Sequence, residues 1–86
     1  MTQKTPKGLL EGLAQDIVSV LRRMGGSAHE TVVVDCVAGM LRQRGHQVVL
    51  SDLRQQIAEV FDCFQEMFFR PFGEGSHRWA LAPGVS

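Results

Sequence analysis

Three histidines, two cysteines and one glycine turn are where a sequence of 86 residues such as this would keep a catalytic centre. His29, His46 and His77 are scattered, with neither the HxxxH nor the HExxH spacing that brings two imidazoles to one metal on a helix face. An isolated histidine near a cap or turn reads as a polar surface residue. Cys36 and Cys63 are too far apart for a CxxC pair, and neither stands beside a recognisable base. Both are expected as reduced thiols, Cys36 packed beside Val33 and Val37 and Cys63 partly exposed. Gly73-Glu-Gly75 is followed by no Lys-Ser/Thr pair and opens no helix, so it reads as a turn and not as a phosphate cradle. The acidic residues show no pairing that separates an acid and a base from ordinary helix-surface charges. The residue chemistry points away from an enzyme, and no cofactor or metal is expected.

Composition narrows the partners. Nine Lys plus Arg balance nine Asp plus Glu, so no global field draws the protein toward nucleic acid or an anionic membrane, and binding must come from local patches. With 44% apolar residues the chain suffices for one modest core, and a single domain over residues 1–86 is expected, ordered over about 5–82. Met1 to Lys7 is polar and leads into an amphipathic segment, and no stretch reaches the roughly 20 apolar residues of a membrane span. The expectation is a cytoplasmic protein with no membrane partner.

The elements that would position any site follow from periodicity. Leu10, Leu13, Ile17, Leu21 and Met24 recur at helical spacing, which predicts a helix from Thr5 to Met24. Thr5 would cap it, Pro6 suits its first position, and Gly25-Gly26 would end it. Ser27 and Glu30 fit a capping box, so a second helix is expected at once, running to about Arg44 with Gly45 as its stop. The β-branched run Thr31-Val-Val-Val34 prefers strand, but Val33, Val37, Met40 and Leu41 carry the helical pattern past it. Ser51 and Asp52 then open a third helix over 50–66, with Leu53, Ile57, Val60, Phe61 and Phe64 on its inner face. Residues 67–81 change character: two short apolar runs around the glycine turn predict a β-hairpin. His77, Trp79 and Leu81 are expected on one face, with Phe69, Trp79 and Leu81 closing the core as a lid.

Three amphipathic helices followed by a C-terminal hairpin make an α+β, mainly α, fold and give the element order of a winged helix. The stretch Val20-Leu-Arg-Arg-Met-Gly-Gly-Ser-Ala28, then Phe69-Arg70 and Gly75 through Trp79-Ala80-Leu81, resembles HARE-HTH domains and the N-terminal domains of Mrr-type restriction endonucleases. In those families a leucine-rich first helix ends at a glycine, and the last strand reads glycine, spacer, aromatic, small residue, leucine. The chain departs from them in a longer wing, which adds Pro71 and Phe72, and in a third helix without a dense basic cluster.

The resemblance implies a DNA-binding module, a small transcriptional or phage- or restriction-associated regulator, with the third helix in the major groove and the wing on the backbone or minor groove of double-stranded DNA. On that basis Arg54, Gln55 and Gln56 would face base edges, and Arg70, His77 and Arg78 would meet phosphates. Against it, Asp52, Glu59, Asp62 and Glu66 oppose only Arg54 over residues 50–66. The basic residues Lys4, Lys7, Arg22, Arg23, Arg42 and Arg44 lie in the first half, where two Arg pairs compensate helix C-termini. The rival reading is a protein-interaction or homodimerisation module. Met67, Phe68, Phe69 and Phe72 fall close together, and strand alternation would leave Phe68 and Phe72 outside if Phe69 faces the core.

Overall fold

The computed structural model describes residues 7–73 and 75–85. Within them the chain forms α1 (Lys7–Arg23), β1 (Ser27–His29), α2 (Glu30–Gln43), α3 (Leu50–Cys63), β2 (Phe68–Phe69) and β3 (Arg78–Leu81). The strands form one antiparallel sheet in the order β1-β3-β2, and the molecule is mainly helical. No helix among the described residues is long and apolar enough to cross a membrane.

Both predicted glycine stops form as expected. At the end of α1 the Gly26 N–H donates to the Leu21 carbonyl (2.7 Å) and the Gly25 N–H to that of Arg22 (3.2 Å), with φ of 83° at Gly25 and 106° at Gly26. His46 and Gly45 repeat the pattern on Leu41 and Arg42 after α2, with Gly45 at φ 87°. These bonds satisfy carbonyls that the helix leaves unpaired, and the left-handed dihedral they need is open to glycine at little cost. The predicted caps at Thr5 and Pro6 lie outside the described residues.

The capping box at Ser27 does not form. Residues 27–29 pair instead with β3, Ser27 with Ala80, Ala28 with Trp79 and His29 with Arg78, so α2 begins later, at Glu30. The strand still caps the helix. The Glu30 N–H donates to the His77 carbonyl (2.7 Å), and the Thr31 N–H to the His29 ring Nδ1 (3.2 Å), which satisfies two free amides of the first turn. Over Thr31–Val34 helix prevails over β propensity because Val33, Val34 and Val37 are fully buried on the helical stripe. The third helix is shorter than expected. It begins after Val49, with no side-chain cap from Ser51, and ends at Cys63.

Strand register decides which aromatics enter the core. Phe68 lies opposite Leu81 and Phe69 opposite Ala80, while Ala28 lies opposite Trp79. Facing residues share a side of the sheet, so Ala28, Phe68, Trp79 and Leu81 point inward together. All four are buried, whereas Phe69 is 43% exposed. The lid is therefore Phe68, Trp79 and Leu81, which corrects the expectation for Phe69. His77 precedes β3 and does not join that face. The lid seats on α3: the Phe61 ring stacks parallel to Trp79 at 4.0 Å between centroids and meets Phe68 edge-on at 5.4 Å. Behind it Ile17 and Leu21 of α1, Val33 and Val37 of α2 and Ile57 of α3 complete one continuous core.

Candidate functional site

The surface to weigh is α3 with the hairpin beside it. Leu53, Ile57, Val60 and Phe61 turn one face of α3 into the core, which leaves Arg54, Gln55, Asp62 and Cys63 exposed. Helical spacing divides that outer face. Arg54 shares its stripe with Phe61, seven residues on, and Phe61 lines a recess of about 600 Å³ between α3 and the hairpin, so helical spacing sets Arg54 on the hairpin side. Gln56 lies on the opposite edge, half-buried in a small recess with Leu41, Val48 and Asp52. The three residues expected to act together on base edges are thus split. Arg54 and the outward Gln55 remain candidates, and Gln56 is turned toward α2.

The carboxylates are also sorted. Asp52 sits with Gln56 on the α2 side. Glu59, Asp62 and Glu66 rim a recess of about 590 Å³ against the start of α1, with Leu10 and Phe64 as its apolar lining and Lys7 beside them. Of these only Asp62 also lines the hairpin recess. The half of α3 that begins at Leu50 therefore presents Arg54 and Gln55 toward the hairpin and solvent, while acidity gathers at the other end and along the far edge.

The expected wing cations have intramolecular partners. The Arg70 guanidinium lies 4.7 Å from the centroid of the Trp79 ring, a cation–π contact that ties the end of β2 to the lid. Arg78 donates from Nε to the Ser27 hydroxyl (3.1 Å) across the β1–β3 pair. His77 places Nδ1 3.6 Å from a Glu30 carboxylate oxygen, with its ring centroid 6.1 Å from that of His29. All three residues are exposed, so each braces the hairpin and still borders its surface. Sequence reasoning missed the partners of Arg78 and His77 because β1 itself was not expected.

The apolar candidates change places. Phe68 is 1% exposed and belongs to the core, so it offers no partner surface; Phe69 takes the outer position, and Phe72 is 73% exposed. Phe72 occupies a turn in which the Gly73 N–H donates to the Arg70 carbonyl (3.2 Å), with Pro71 at the first corner and Gly73 at φ 92°. Proline holds its own φ near −65°, so the ring stands on a stiff support.

Elsewhere the basic residues serve the helix ends. Arg44 makes a two-pronged pair with Asp16 of α1 (2.9 and 3.1 Å), and Arg22 donates to the Val85 carbonyl (2.7 Å). Cys36 is half-buried against the core and Cys63 is exposed. Among the described residues no group of three or more His, Cys, Asp and Glu side chains is arranged to hold a metal ion. No family model, curated protein or solved structure matches this chain.

Proposed function

We propose that this chain is a winged-helix module that binds double-stranded DNA, α3 entering the major groove and the 68–81 hairpin lying along the neighbouring backbone. The element order with a β1-β3-β2 sheet supports the winged-helix reading. What carries the DNA reading is the sorting of charge on α3: helical spacing sets Arg54 on the stripe of Phe61, which lines the hairpin recess, while Asp52 lines the recess beside α2 and Glu59 the one beside α1. Recognition helices read bases from their N-terminal residues, so Asp62 and Glu66 fall beyond the stretch that would enter the groove. Arg54 suits guanine and Gln55 suits adenine.

Anisotropy of a labelled mixed-sequence duplex tests this at about 50 mM and 200 mM salt, since neutralised phosphates make affinity fall as salt rises. We expect binding near the micromolar range that weakens at the higher salt and drops again, about tenfold, in Arg54→Ala. Failure to bind at both salts refutes the reading. The exposure of Phe69 and Phe72 favours a second reading, in which the hairpin contacts a protein or another copy of the chain. Sedimentation velocity then shows a concentration-dependent dimer that Phe69→Ala and Phe72→Ala abolish.

A further inference from the structure

The hairpin tip carries its most exposed large apolar side chain where a DNA-binding wing would be expected to carry charge. Phe72 is 73% exposed at the second corner of a turn closed from Gly73 to Arg70. Three features make it a supported projection and not a loose ring. Pro71 restricts the backbone leading to it, and the Arg70–Gly73 hydrogen bond closes the turn. Arg70 then anchors the base of the turn on Trp79, which is stacked on Phe61 of α3.

The tip is also narrow. A stable protein interface needs roughly 800 Å² from each partner, several times what one phenylalanine and one proline present. Over residues 70–78 the sequence sets Arg70 and Arg78 against one carboxylate, Glu74, a local positive balance of the kind that suits phosphate. Apolar wedges on minor-groove proteins behave in this way, since a ring that enters a base step unstacks it and bends the duplex. We propose that Phe72 is such a wedge: with α3 in the major groove, it enters a base step from the adjacent minor groove and kinks the DNA. The inference rests on the DNA reading above.

The test uses the full chain and a duplex of about 20 base pairs with pyrimidine–purine steps at its centre, because those steps unstack most readily. A 2-aminopurine at the central step reports unstacking, and dyes at the two ends report bending. We expect saturating protein to raise 2-aminopurine emission and bring the ends closer. Phe72→Ala should lose both signals and bind about tenfold more weakly, while Phe72→Leu, still an apolar wedge, keeps them. Because the ring is exposed, both variants should unfold at the parent temperature, which separates loss of the wedge from loss of the fold. Salt-sensitive binding by the parent without either signal, or with signals that survive Phe72→Ala, overturns the wedge and leaves the DNA reading standing. No binding by the parent overturns both, and a Phe72-dependent dimer in that case assigns the ring to a protein partner.

Discussion

Phe68 and Phe69 are chemically identical neighbours with opposite duties. Phe68 fills the core against Phe61, and Phe69 lies on the outer side of the sheet. Replacing Phe68 with Ala should therefore cost about 3 to 5 kcal/mol, while Phe69→Ala should stay within roughly 0.5 kcal/mol. Trp79→Ala belongs with Phe68, since it removes the ring between Phe61 and Arg70, and about 3 to 5 kcal/mol is again expected. Urea midpoints of the three variants check the contrast, and equal losses from Phe68 and Phe69 would contradict the strand register. At this scale the sequence was legible for Trp79 and Leu81 and misread by one position for the phenylalanines. Alternation counted back from Trp79 must cross a turn whose length is invisible in the residues, and a slip of one exchanges the two faces. Arg70, His77 and Arg78 misled for a related reason: as a string they are free cations on a wing, and only the fold supplies Trp79, Glu30 and Ser27 beside them.

Elements were easier to read where their signals are local. The apolar stripes of α1, α2 and α3 and the glycine stops of the first two need only nearest turns of the same helix, and those helices stand close to where periodicity put them. β1 was not legible, because Ser27-Ala-His29 has no pattern of its own and is a strand only through a partner near the other end of the chain. Between the helices the clearest single tie is Asp16 to Arg44, which joins the middle of α1 to the end of α2. The hydrogen bonds to Asp16, and then its charge, hold the Arg44 guanidinium above its ordinary pKa. A raised pKa in the folded state gives a contribution fully present below the unfolded value and lost only as pH climbs through the folded one. Arg44 therefore adds no pH dependence to stability near neutrality. We expect Asp16→Asn and Arg44→Gln each to lower the melting temperature and the double variant to fall no further than the worse single. The difference should shrink in about 1 M salt, since exposed pairs are screened. Additive losses in the double variant would mean that the two side chains act separately.

For the whole molecule, neutral net charge and a small core left the role open, and only the folded arrangement divides the acids of α3, Asp52 lining the recess beside α2, Glu59 the one beside α1, and Asp62 both that and the hairpin recess. The same arrangement makes the sheet a clasp between distant parts of the chain. A chain ending at His77 lacks β3 and, with it, the partner of β1 and the Trp79 lid, so we expect helical circular dichroism without a sharp unfolding transition. A cooperative melt from that shortened chain would show that three helices suffice. Ser27 and Arg78 meet although 51 positions separate them. During synthesis, which proceeds from the N-terminus, α1, α2 and α3 all emerge from the ribosome before β1 can find its mate, and their apolar faces wait uncovered for β3. The interval before that strand emerges is when a nascent chain of this protein would be most exposed to chaperones, and to other nascent chains of its own kind.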